Sequence, residues 1–96
     1  MTNIAIIGAT GNVGRKTLEV IEKKDIKFDN LFLVASSNSA GKKISFKGKD
    51  YEVHDLEKYD FSNANITFFA AGGKIAEQYA ENAAKLTTVI DNSSFF

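Results

Sequence analysis

Three glycines, each separated by two residues, stand where an apolar run gives way to an amphipathic stretch: Gly8, Gly11 and Gly14. Nothing else in the chain restricts its fold as much. Ile4-Ala5-Ile6-Ile7 ahead of them has the character of a strand, and Val13 to Lys24 behind them that of a helix. A chain that passes from strand to helix through Gly8-Ala9-Thr10-Gly11-Asn12-Val13-Gly14 must turn sharply, and residues without a Cβ permit that turn. They also let an anion approach the backbone, where the first helical N–H groups and the positive end of the helix dipole face it. That is the setting of a pyrophosphate-binding loop in a βαβ unit. The first half of the spacing is one residue longer than in G-x-G-x-x-G, and an ordinary strand-to-helix turn uses the same residue types.

Hydrophobic periodicity extends the pattern. Residues 3–7 are nearly all apolar, as in a central parallel strand covered on both faces. In the helix, capped by Gly11 or Asn12, the residues Val13, Thr17, Val20 and Ile21 share a stripe with Leu18 beside it. Lys23-Lys24-Asp25 marks its end, where the dipole favours cations. Leu31 to Ala35 is a second buried strand. Lys43 to Phe46 and Asp50 to Val53 alternate around Gly48-Lys49, predicting a small antiparallel hairpin. Asp55 to Asp60 is a short helical turn or loop, Ile66 to Ala70 a third buried strand, and Gly72-Gly73 a turn. Lys74 to Leu86 is a helix with Ile75 or Ala76, Tyr79, Ala80, Ala83 and Ala84 inward, and Thr87 to Asp91 is the last strand. The expectation is one α/β domain over residues 1–96, Rossmann-like, with a mostly parallel sheet, flanking helices and a small hairpin insertion.

Composition removes several functions. Twelve Lys and Arg residues balance twelve Asp and Glu, so bulk charge gives no basis for nucleic-acid or membrane binding. The absence of cysteine excludes disulfides, thiolate metal sites and a cysteine nucleophile within these residues. A single histidine, His54, argues against zinc and is expected on the surface. The start lacks the basic region of a signal peptide, and no apolar run nears the ~20 residues of a membrane span, so a cytoplasmic protein is expected. The chain closes on Ser93-Ser94-Phe95-Phe96 directly after a strand, which reads as a cut.

In such a sheet ligands bind beyond the carboxyl ends of the strands. Gly8–Gly14, Ser36–Lys43, Ala70–Lys74 and Asp91–Ser94 are expected there. An NAD site places Asp or Glu after the second strand to bind ribose hydroxyls. Here Ser36, Ser37, Asn38 and Ser39 follow it, with Lys42 and Lys43 near, a set that accepts a 2′-phosphate and favours NADP, with NAD as the alternative. The same residues would also make a plain turn into the hairpin. Gly72 and Gly73 would let the backbone pass beneath a cofactor or simply turn the chain. Asn92 would bond a carboxamide or a ribose, or only end its strand. No Ser-His-Asp set, metal cluster or thiol is present for catalysis.

Taken in order, Gly8-Ala9-Thr10-Gly11-Asn12-Val13-Gly14, Ala35 to Lys43, Phe69-Ala70-Ala71-Gly72-Gly73 and Asp91-Asn92-Ser93-Ser94 resemble the N-terminal coenzyme domain of the aspartate-semialdehyde dehydrogenases, over the whole chain. The related N-acetyl-glutamyl-phosphate reductases resemble it in fold and first motif, less in the later loops. The resemblance implies an enzyme that reduces L-aspartyl 4-phosphate to L-aspartate 4-semialdehyde with NADPH through a cysteine thioester, on the route to lysine, methionine, threonine and diaminopimelate. It implies that Gly8, Thr10, Gly11, Asn12, Val13 and Gly14 cradle the pyrophosphate. Ser36, Ser37, Asn38 and Ser39 would meet the adenosine ribose and its 2′-phosphate; many members have arginine where Asn38 stands. Ala71, Gly72 and Gly73 would line the groove, and Asn92 would lie toward the nicotinamide. The catalytic and dimerisation domain, with its cysteine, is expected outside these residues, so that the chain alone binds cofactor without turnover while the full-length parent is a homodimer. A stand-alone dinucleotide-binding regulatory module is the rival, and an α/β domain with an empty groove a third.

Overall fold

The computed structural model describes residues 2–70 and 73–91, and only the backbone at residues 73–77, 80 and 91. The elements run β1 (Asn3–Ile7), α1 (Asn12–Lys23), β2 (Asn30–Ala35), β3 (Lys43–Phe46), β4 (Lys49–Asp55), a 3-10 turn (Phe61–Asn63), β5 (Ile66–Phe69), α2 (Gly73–Ala84) and β6 (Thr88–Asp91). They form a six-stranded sheet in the order β3-β4-β2-β1-β5-β6. Every neighbouring pair is parallel except β3 with β4. This is a Rossmann-like α/β fold, with β1 at its centre.

Residues of β1 point alternately to the two faces, and both faces are covered, which is why the run is apolar throughout. Ile4 and Ile6 join Leu31, Leu33 and Ala35 beneath α1. Ile7 joins Val34, Phe69, Phe61 and Ala83 on the other side, with Tyr79 of α2 packed against them. The inward face of α1 is Gly14, Thr17, Leu18 and Ile21, a spacing of three, one and three. Val13 is half-buried against this core, but Val20 is 43% exposed, contrary to expectation. A helix turns 100° per residue, so the stripe centred on Gly14 and Ile21 leaves Val20 beyond its edge. Ala84 also faces solvent, while Ala83 is buried; Ile75, Ala76 and Ala80 have side chains outside the described set.

The hairpin departs from the expected insertion. The first half of β4 pairs antiparallel with β3, from Lys49↔Phe46 to Glu52↔Lys43. Its second half changes partner, and Val53, His54 and Asp55 pair parallel with Leu33, Val34 and Ala35 of β2. The hairpin is therefore built into the main sheet, and β4 ends level with β2. Two sequence-distant ends meet there.

At the amino ends of the strands, asparagines join the chain. Asn30 donates through Nδ2 to Asn3 Oδ1 at 3.1 Å, Asn3 donates through Nδ2 to the Asn63 carbonyl at 3.2 Å, and the Asn3 amide donates to Asn65 Oδ1 at 2.8 Å. This fixes β1, β2 and β5 at the edge opposite the glycine loop. No helix among the described residues is long and apolar enough to cross a membrane.

An aromatic cluster fills the α2 face. Tyr59 meets Phe61 edge-on at 5.3 Å, and Phe61 stacks on Phe69 at 6.0 Å. The Tyr59 hydroxyl is buried with no hydrogen-bond partner among the described residues. Burial, with a smaller contribution from the Asp60 charge, pushes its pKa up from 10.0 to about 12. The folded state thus holds the proton more tightly than the unfolded chain. This stability is fully present below about pH 10 and is lost as pH rises toward about 12. Urea unfolding between pH 8 and 11.5 is expected to show that loss in the wild type and to show it removed in Tyr59→Phe. Tyr59→Phe should also be no less stable at neutral pH, because the orphaned hydroxyl goes with it.

Candidate functional site

Each glycine of the first loop answers to a different constraint. Gly8 has φ +87°, a left-handed conformation that side chains resist. Its amide and that of Ala9 both donate to the Val34 carbonyl, at 2.7 and 3.1 Å, tying the turn to the end of β2. Gly14 lies under the turn. A Cβ there would overlap the Gly8 carbonyl oxygen and sit 2.7 Å from Ala9 Cα. Gly11 has neither restriction: φ is −82°, and an added Cβ would meet only the Gly8 oxygen, at an ordinary 3.5 Å. What glycine provides at position 11 is bare, exposed backbone.

That backbone caps α1. Gly11 brings no side chain to the helix start, and no carboxylate lies in the first turn. The Gly11 amide closes the turn onto Gly8 O at 3.1 Å, and Arg15 is the first helical amide with a backbone acceptor, Gly11 O at 3.0 Å. The amides of Thr10, Asn12, Val13 and Gly14 have no acceptor among the described residues. Unpaired donors at the positive end of a helix, beside a surface free of Cβ, suit a phosphate. The Val13 side chain belongs to the core, so only its amide serves this edge. Asn12 is exposed.

The loop after β2 meets this one. The Thr10 hydroxyl lies 3.4 Å from that of Ser39. The Ser36 carbonyl accepts from the amides of Ser39 and Ala40 at 2.9 and 3.1 Å, curling the loop into a tight turn. Ser36, Ser37 and Asn38 are exposed and Ser39 half-buried. Lys43 belongs to β3 and lines a cleft of about 480 Å³ against Arg15 and Glu19 of α1.

Two carboxylates missed in the sequence stand at this edge. The loop after β2 has none of its own, but β4 delivers Asp55 beside Ala35. Ser37 Oγ lies 3.1 and 3.0 Å from the two Asp55 carboxylate oxygens and 3.4 Å from Glu57 Oε2. The Glu57 amide donates to Asp55 Oδ1 at 3.0 Å, and the Leu56 amide to Ala35 O at 2.8 Å. No local sequence signal marks them: the apolar alternation ends at Val53, and only the strand pairing shows that β4 has seven residues against the four of β3, with the surplus paired to β2.

The third loop starts beside the first, the Ala70 amide donating to Ile7 O at 2.8 Å. Gly73 opens α2. Ala71, Gly72 and Asn92 lie outside the described residues. His54 is exposed and tilted against the rings of Phe32 and Tyr59, at 6.1 and 6.4 Å. No group of three metal-ligating side chains occurs among the described residues.

Residues 3–96 match the family described as semialdehyde dehydrogenase, NAD binding domain. The aspartate-semialdehyde dehydrogenase of Rickettsia bellii is 43% identical over 95 residues, which is 98% of this chain and 28% of that protein. The crystal structure of aspartate semialdehyde dehydrogenase II from Vibrio cholerae, complexed with ASA, is 44% identical with a TM-score of 0.90, covering 98% of this chain and 31% of that one. The aspartate semialdehyde dehydrogenase of Candida albicans, solved with NADP, is 24% identical with a TM-score of 0.69 over 99% of this chain and 30% of that one, a likeness of fold alone. The chain therefore spans less than a third of the length of these relatives.

Proposed function

This chain belongs to the semialdehyde dehydrogenase family, as its NAD-binding domain, and on that footing we propose that the edge built from Gly8–Gly14 and Ser36–Ser39 holds NADP, with NAD as its competitor. The amides of Thr10, Asn12, Val13 and Gly14, without an acceptor among the described residues, over the bare Gly11 backbone carry this proposal. They face the pyrophosphate; Gly8 sets the turn; Ser36, Ser37, Asn38 and Ser39 meet the adenosine ribose. Ala71, Gly72, Gly73 and Asn92 complete the proposed cofactor-binding set by the family resemblance. The cofactor supplies the hydride.

For the whole protein the proposed activity is the reduction of L-aspartyl 4-phosphate to L-aspartate 4-semialdehyde. Residues 1–96 form the dinucleotide domain. A cysteine in a second domain, outside these residues, carries the acyl group as a thioester, and that domain pairs two copies in a cytoplasmic homodimer. The cysteine that carries the acyl group lies outside these residues, so the 96 residues alone are proposed to bind cofactor without turnover.

Gly11→Asp separates binding from folding. Aspartate is a better N-cap than glycine, so stability is expected to hold or rise by a few tenths of a kcal/mol (about 0.5 at most). The same carboxylate occupies the anion's place, and NADP affinity is expected to fall at least ~10-fold. Urea unfolding and an NADP titration followed by NMR read the two effects. Unchanged affinity in a folded Gly11→Asp variant would remove the pyrophosphate from this loop.

A further inference from the structure

We infer that Asp55, carried to the ligand edge by β4, is a specificity-determining residue that holds the Ser37 proton, so that the adenosine side of the site reads a free 2′-hydroxyl and NADP loses most of its advantage over NAD. The inference rests on the dinucleotide site proposed above and deepens it. A serine hydroxyl has one proton to donate and lone pairs with which to accept. A carboxylate is acceptor-only, so in the Ser37–Asp55 pair, with both oxygens within 3.1 Å, the proton is Ser37's and it points at Asp55. Glu57 Oε2, at 3.4 Å, offers a second acceptor on the same side. What Ser37 presents elsewhere is lone pairs. A phosphate dianion brings only acceptors and finds no donor there. A ribose 2′-hydroxyl brings a proton and finds a lone pair.

Charge acts in the same direction. Two carboxylates next to Ser37 disfavour a third anion, and neither has a cationic partner among the described residues. A nicotinamide-dinucleotide fold usually draws the ribose-reading carboxylate from the end of the strand after the glycine loop. Here that strand ends at Ala35, with Ser36 the next residue, and the carboxylate arrives on its parallel neighbour, one strand farther out. Ser36, Asn38 and Ser39 remain as donors for a phosphate, which keeps NADP bound but without Ser37.

Titration of the purified chain with NADP and NAD by calorimetry tests this. The wild type is expected to bind the two within about tenfold of each other. Asp55→Ala frees the Ser37 proton and removes one charge, and should raise the NADP-to-NAD affinity ratio about tenfold, the worth of one charge-assisted hydrogen bond. In Asp55→Ala/Ser37→Ala the freed donor is gone and most of that gain should vanish. An unchanged ratio in Asp55→Ala overturns the inference while leaving the site intact. A gain that persists in full in the double variant overturns the role of the Ser37 proton. Wild-type chain that binds neither dinucleotide overturns the proposed site, and this inference with it.

Discussion

Gly14→Ala is expected to destabilise the domain by about 3 kcal/mol, the upper end for overpacking, because the added methyl runs into the backbone of Gly8 and Ala9. Its Cβ would overlap the Gly8 carbonyl oxygen and lie 2.7 Å from Ala9 Cα and 2.9 Å from Gly8 C. A side chain could swing away; a turn whose amides are already bonded to Val34 O cannot move without breaking those bonds. Relief must come from sliding α1 off the sheet, which uncovers Leu18 and Ile21 over Ile4 and Ile6. Small domains hold a net stability of roughly 5–10 kcal/mol, so the change should lower the urea midpoint sharply. The contrast with Gly11→Asp is the sharper test. Two glycines three residues apart should respond oppositely, one in folding and the other in binding. A Gly14→Ala variant as stable as wild type would mean that α1 does not sit this close to the turn.

Phe69→Ala is expected to cost about 3–5 kcal/mol, the range for deleting a fully buried aromatic ring. Phe69 has no exposed surface, stacks on Phe61 at 6.0 Å, and shares its cluster with Ile7, Val34 and Leu56. These come from β1, β2, β5 and the segments around β4, so the cavity would open where four parts of the chain meet. Phe69→Leu leaves less empty volume and should cost less than half as much. The glycine loop lies beside the opposite face, under α1. Phe69→Leu should therefore leave dinucleotide affinity near the wild-type value while lowering the unfolding midpoint. A matched fall in both would tie the aromatic cluster to the site.

Periodicity and the glycine spacing made most of the fold legible. Strand runs such as Ile4–Ile7 and Leu31–Ala35 are apolar on both faces only if both are covered, which implies helices above and below a parallel sheet. Val20 is apolar and adjacent to the inward stripe of α1, so periodicity includes it; the buried face is the narrower set Gly14, Thr17, Leu18 and Ile21, and Val20 lies just outside it. The larger miss was β4. Alternation cannot name a strand's partner, and a hairpin satisfied everything visible from Lys43 to Val53. Asp55 and Glu57 therefore fell in what reads as a short helical turn or loop after the hairpin, with nothing to place them at the edge of the site.

The sequence by itself determined the βαβ frame and the glycine turn between β1 and α1, because backbone conformation and hydrophobic alternation are local properties written in consecutive residues; it left the helix cap open between Gly11 and Asn12, and the structure puts it at Gly11. The sequence also placed the chain within its family, through loops whose order survives in one dimension. Only the tertiary structure decided that Gly14 is held by contact with Gly8 and Ala9, and that Ser37 spends its proton on Asp55 eighteen residues away. Both depend on which strand lies beside which. Pairing of β4 with β2 is a long-range choice, made where the burial of Val53 and the hydrogen bonds of the whole sheet are satisfied together.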